Sequence, residues 1–141
     1  MSMVLRDIPK LMDEPTSGLD PLARDGLLNL LTEYTRDERN SILISSHIVS
    51  DLEKICDYIA FLHKGRLLLC DEKDRLLERY GVIRCTAQEF NRINKAAVIG
   101  KKESPYGVEA IVEHRLIPKN IDFKPVDIEQ LFVSMVKEDG V

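Results

Sequence analysis

Leu11-Met12-Asp13-Glu14-Pro15-Thr16-Ser17-Gly18-Leu19-Asp20-Pro21 sets two adjacent carboxylates between a short apolar pair and a helix start. Carboxylates at the carboxyl end of a strand lie where open α/β sheets bind their ligands. Asp20-Pro21 marks the helix, because Asp accepts from the free first-turn amides and Pro has a suitable φ at the first helical position. Leu27, Leu28, Leu30, Leu31 and Tyr34 extend that helix to about Arg36 with a broad apolar face. A strand over residues 4–12 should lead into the acidic pair. Pro9 and Lys10 interrupt it, and proline cannot donate to a sheet ladder, so a short or displaced strand is expected.

Outward from this stretch the pattern alternates. Asp37-Glu38-Arg39-Asn40 is a polar turn, and Ser41-Ile42-Leu43-Ile44-Ser45-Ser46 reads as a buried strand that ends at His47. A helix over residues 48–56 is expected, with Leu52 and Ile55 inward. Residues 58–62 and 66–70 flank His63-Lys64-Gly65, a hairpin signal with Gly65 available for positive φ. Asp71 or Glu72 opens a helix carrying Leu76, Leu77 and Tyr80, which Gly81 should stop. Beyond it the composition shifts. Short strands are expected at 82–85, 98–100 and 108–113, a helix over 87–93, a loop over 118–125, and a last helix over 127–137 with Ile128, Leu131, Phe132, Met135 and Val136 on one side. The expected organisation is a βαβ-like α/β part over residues 1–80 and a small α+β appendage over residues 81–141.

Hydrolysis of a phosphoanhydride needs a metal to bridge phosphate oxygens, a group to orient water, and donors for developing charge. Asp13 suits the metal, Glu14 the water, and His47 the terminal phosphate. In a parallel sheet His47 ends the strand beside the acidic pair, 33 residues after Glu14. Blander roles stand beside these. Adjacent acids at a turn are commonly just solvated, and Asp20 is an N-cap on any reading. Gly18 permits the turn, and the stripe from Ile128 to Val136 is core packing. His63, His114, Cys56, Cys70 and Cys85 carry no spacing that points to chemistry. What lifts the acidic pair is the joint occurrence of the 11-residue string, its helix cap and a Ser-Ser-His strand end.

The chain has 141 residues, 44% hydrophobic and 31% charged, with formal net charge -4. That suits a folded domain and gives no footprint for nucleic acid, which needs clustered positive charge. Three separated cysteines without a CxxC argue against a disulfide framework or a zinc site. No apolar run approaches the roughly 18 residues of a transmembrane helix, so a cytoplasmic chain is expected, reaching a membrane only through a partner.

Met12-Asp13-Glu14-Pro15-Thr16-Ser17-Gly18-Leu19-Asp20-Pro21 resembles the Walker B motif and D-loop of the ATP-binding cassette (ABC) ATPases. The run from Ser45 to Glu72 is similar to their H-loop helix and following hairpin, and Val126 to Phe132 to the tail of ABC-2-type and multidrug-type exporter subunits. The resemblance implies the C-terminal part of a P-loop NTPase fold. It makes Asp13 the Mg²⁺ ligand, Glu14 the catalytic base, His47 the γ-phosphate sensor, and Ser17, Gly18, Leu19 and Asp20 a D-loop that meets the opposite subunit. It implies ATP and Mg²⁺ as ligands of the intact family and a membrane-spanning transporter subunit as partner. The string GxxxxGK[ST], a Q-loop and an LSGGQ-type signature do not occur in the 141 residues. A fragment or truncated form is therefore expected, inactive alone and self-associating through sheet edges left unpaired. The alternatives are a non-catalytic interaction module and a soluble ABC protein of DNA repair or translation.

Overall fold

The computed structural model describes residues 10–138, so the strand expected over residues 4–12 falls outside the described residues up to residue 9. Backbone contacts divide the chain into two compact units, residues 10–56 and 57–138.

The first unit contains strand β1 (Lys10–Asp13), helix α1 (Pro21–Thr35), strand β2 (Ile42–Ser45) and helix α2 (Val49–Ile55). β1 and β2 pair in parallel, from Lys10↔Ile42 to Asp13↔Ser45. Parallel neighbours need a long crossover, which α1 supplies. α1 begins at the expected cap: the extended Asp20 accepts the Ala23 amide at 2.8 Å, with Pro21 next. Its inward face is narrower than expected. Leu28 and Leu31 are buried, whereas Leu30 is exposed, because two residues past Leu28 is about 200° around a 3.6-residue turn. β2 is also less buried than its apolar run suggests. Ile42 and Ile44 are half-buried and Leu43 points out, the alternation of a strand covered on one face. On α2, Leu52 and Ile55 are half-buried, and the residue most withdrawn from solvent is Asp51.

The second unit opens with the hairpin β3 (Tyr58–His63) and β4 (Arg66–Glu72). Lys64 and Gly65 both have positive φ, +49° and +74°, the requirement of a type I′ turn whose twist matches the strands. There follow α3 (Lys73–Arg79), β5 (Tyr80–Cys85), α4 (Ala87–Asn91), β6 (Val98–Ser104), β7 (Gly107–Glu113), β8 (Phe123–Pro125) and α5 (Ile128–Glu138). The last four strands form an antiparallel sheet in the order β6-β7-β5-β8. Its core is Ile83, Ile93, Ala97, Ala110, Val112 and Ile117. α5 packs on β6, with Ile128 and Leu131 fully buried and Phe132 edge-on to Phe61, ring centroids 5.1 Å apart.

Two expectations fail here for one reason. Gly81 does not stop a helix; the helix ends at Arg79 and Tyr80 is already extended. Residues 118–125 are not all loop, because Phe123–Pro125 pairs with Gly81–Ile83. Gly81 is a site of close approach: a Cβ there would lie 2.0 Å from Cζ of Phe123. The glycine makes room for the Phe123 ring, and the three-residue strand is confined to the sheet edge by Pro125, which has no amide to donate.

Candidate functional site

Asp13 is the last residue of β1 and faces Ser45, the last residue of β2, across the parallel register. The Ser45 hydroxyl donates to the Asp13 carboxylate. The Glu14 amide donates to the Ser45 carbonyl at 2.9 Å, carrying the ladder one residue past the strand end. Glu14 then turns sharply, at φ +49°. A left-handed non-glycine residue costs about 1–2 kcal/mol and persists where its surroundings over-determine it. The turn aims the Glu14 carboxylate at His47, whose Nδ1 meets Oε1. Glu14 is partly screened, whereas the His47 ring is 94% exposed. The sequence-predicted Asp13, Glu14 and His47 are thus gathered at the carboxyl ends of two neighbouring parallel strands.

Ser17, Gly18, Leu19 and Asp20 form an exposed turn on the other side of Glu14. The Ser17 amide donates to the Glu14 carbonyl at 3.2 Å, and the Leu19 amide to the Thr16 carbonyl at 3.3 Å. Gly18 takes φ +78°, a conformation with no Cβ penalty for glycine. Asp20 closes the turn as the cap of α1, so its carboxylate is committed to the helix.

A Mg²⁺ ion fits this donor set in one way. Among the described residues no group of three or more His, Cys, Asp or Glu side chains could hold a metal ion. Asp13 and the Ser45 hydroxyl are too few to cage a resident ion. They suit Mg²⁺ that keeps several waters and arrives with a phosphate ligand, since that ion commonly takes one or two carboxylates from the protein.

Sequence reasoning missed the buried chemistry beneath the turn. Asp51 is 1% exposed. Its carboxylate accepts from the Thr16 hydroxyl at 2.8 Å and from Arg24, whose Nε lies 2.9 Å from both oxygens and whose Nη2 lies 2.6 Å from Oδ1. Burial alone pushes this carboxyl upward. Hydrogen bonds from Arg24 and Thr16, with the positive charge of Arg24 and Lys54, outweigh it and hold Asp51 below the usual carboxylate range. The signal was in the sequence. Asp51 stands three residues after Ile48 and four before Ile55, on the apolar stripe of its helix, where a charge needs a partner.

No family model matches the chain. It is 29% identical over 146 residues to the ABC transporter ATP-binding protein YtrB of Bacillus subtilis, covering 95% of this chain and 50% of that protein. It is 27% identical over 143 residues to the uncharacterized ABC transporter ATP-binding protein YhcH of the same organism, covering 91% and 47%. It is 38% identical over 76 residues to the lantibiotic transport ATP-binding protein SrtF of Streptococcus pyogenes, covering 52% and 33%. The chain spans about half the length of the curated relatives it matches over most of its own.

Proposed function

Because the chain is homologous to ABC transporter ATP-binding proteins, we propose that its first unit carries the water-activating half of an ATP hydrolysis site. The observation that supports this reading is the convergence of Asp13, Glu14 and His47 at the ends of β1 and β2. Glu14 is the base that orients and deprotonates water. Its contact with His47 Nδ1 fixes the ring and leaves Nε2 to donate to the terminal phosphate. Asp13, with Ser45, holds Mg²⁺, which when bound neutralises charge on the phosphate oxygens. Ser17, Gly18, Leu19 and Asp20 are the D-loop and face an opposite subunit. The ATPase-like region spans residues 1–80 and an accessory region residues 81–141, so this functional boundary differs from the compact-unit boundary at 56/57.

Hydrolysis on this reading drives export through a separate membrane-spanning subunit, with the chain peripheral to the cytoplasmic side. Among the described residues no helix is long and apolar enough to cross a membrane. A P-loop supplies four or five charged hydrogen bonds to phosphate, each worth about 1.5–3 kcal/mol. Without one, on the order of 6–15 kcal/mol is missing, against about 8 kcal/mol for micromolar binding. The 141 residues taken by themselves are therefore expected to bind ATP weakly and not to hydrolyse it. Self-association is a second reading, favoured by Leu11 and Leu43, register partners that are 74% and 66% exposed, on a sheet that among the described residues has two strands and whose edges invite another.

Purification of the tagged chain from its native membranes tests the reading. The expected result is co-purification of an integral membrane subunit together with a polypeptide that carries a P-loop, in a complex whose ATPase activity falls by about 10²–10⁴ with Glu14→Gln. Ribosomes or DNA in place of a membrane subunit, or unchanged hydrolysis by the variant, would refute it. Low-micromolar Mg-ATP binding by the isolated chain in calorimetry would refute the claim of weak binding.

A further inference from the structure

Three segments of the first unit converge on one carboxylate. Thr16 comes from the turn after the acidic pair, Arg24 from α1, and Asp51 from α2, four residues past His47. Burying a carboxylate is expensive even when it is paired, here with a partly exposed Arg24, and well-packed apolar residues often replace such a pair without loss of stability. A buried carboxylate here calls for a role beyond holding the unit together.

The turn from Glu14 to Asp20 shows what that role is. Ser17, Gly18, Leu19 and Asp20 are exposed, Glu14 and Pro15 are half-buried, and Thr16 is the buried residue of the set. Thr16 is thus the anchor of the turn, and its hydroxyl is tied to Asp51 at 2.8 Å. Glu14, two residues away, is held in the left-handed conformation at φ +49°. Its amide on Ser45 fixes one side of it; the Thr16–Asp51 bond fixes the other. Asp51 lies in the first turn of α2, four residues beyond the His47 that Glu14 meets, so the same bond sets the His47 segment against the acidic turn. Arg24 holds both Asp51 oxygens and keeps the carboxylate aimed at Thr16.

We propose that Asp51 is a positioning residue which, through Thr16 and with Arg24 behind it, holds Glu14 left-handed against His47. This rests on the reading of Glu14 and His47 as the catalytic pair, but its test does not use catalysis. The full chain is compared by NMR with Asp51→Asn, Thr16→Val and Thr16→Ser variants, and with Glu14→Gln as the reference for a broken Glu14–His47 contact. The readouts are the strong intraresidue amide–Hα NOE that marks positive φ at Glu14, and the His47 ring resonances at fixed pH. Thr16→Val keeps the shape of threonine and removes only the hydroxyl. It is expected to lose the Glu14 NOE and to move the His47 resonances to those of Glu14→Gln, and Asp51→Asn to do the same. Thr16→Ser, which keeps the hydroxyl, is expected to restore both. Wild-type Glu14 and His47 signals in a folded Thr16→Val chain would overturn the proposal, whatever that variant does to stability. Should Asp51→Asn not fold, Thr16→Val and Thr16→Ser decide alone. If the proposal holds while Glu14→Gln leaves hydrolysis by the membrane complex unchanged, it is the catalytic reading that fails.

Discussion

Gly81→Ala tests whether the close approach of Phe123 organises the sheet of the second unit. The added methyl would lie 2.0, 2.3 and 2.6 Å from three ring carbons of Phe123, far inside the roughly 3.5–4.0 Å of a normal carbon contact. No small adjustment opens that gap, so the ring must leave. Leaving forfeits its stacking on His114, where ring centroids are 4.0 Å apart and 18° from parallel, worth about 0.5–1.5 kcal/mol. It also forfeits part of the ring's burial, roughly half of the 1.5–3 kcal/mol of a fully buried side chain. Against this, alanine is favoured over glycine in a strand by about 0.5–1 kcal/mol. The net cost is about 1–2 kcal/mol. Urea unfolding followed by the NMR intensities of β5 and β7 amides measures it within this unit. The decisive comparison is a cycle with Phe123→Ala, because once the ring is gone Gly81→Ala should be neutral or slightly stabilising. The expected coupling is about 2 kcal/mol. A Gly81→Ala cost that is the same in both backgrounds, or a cost within about 0.3 kcal/mol of zero, which is inside the usual additivity scatter, refutes the assignment.

Three further outcomes are expected. The folded pKa of Asp51 lies below the unfolded value of about 3.9, so its contribution is fully present above that pH and is lost as pH falls through the folded pKa; Asp51→Asn should be flatter as pH falls below about 3.9 in acid unfolding of residues 10–56, and an equal acid sensitivity would remove Asp51 as the cause. Thr86 and Glu89 form a reciprocal capping box on α4, so Thr86→Ala should lower stability by about 1 kcal/mol in urea melts, whereas an unaltered midpoint would show the cap to be idle. Lys64 carries φ +49° in the hairpin turn, so Lys64→Asn should stabilise the chain by roughly 1 kcal/mol; a lower melting midpoint would mean that the lysine side chain outweighs its backbone strain.

The sequence made some elements legible because local chemistry alone determines them. Asp20-Pro21 fixes the start of α1, and Lys64-Gly65 fixes the hairpin. The stripe from Ile128 predicts a helix that indeed buries Ile128 and Leu131. What local chemistry could not show are features completed by distant residues. Gly81 looks like a helix stop until Phe123, 42 residues later, is found over it. Asp51 stands on the apolar stripe of its helix, but which residues partner it is hidden until Arg24 and Thr16 reach it from 27 and 35 residues away. Asp13, Glu14 and His47 were legible through their pattern, yet the left-handed turn that aims Glu14 at His47 was not, because no glycine stands there to announce it.

The pairing of Glu14 with His47 depends on strand register. The acids end β1 and the histidine follows β2, so Asp13 must face Ser45 and not its neighbour. A slip of one residue would turn every side chain of a strand to the other face. Apolar patterning pins register strongly only where one face is deeply buried, and here Leu11 and Leu43 are exposed and Ile42 and Ile44 are only half-buried. Polar bonds take over that role. The Ser45 hydroxyl on Asp13 and the Glu14 amide on the Ser45 carbonyl form only when the strand ends are level. The Thr16–Asp51–Arg24 cluster then locks the turn to the helix beyond. In this unit the residues that bring the candidate chemistry together are therefore the same polar residues that select the register, so a variant that breaks them loses alignment before it loses secondary structure.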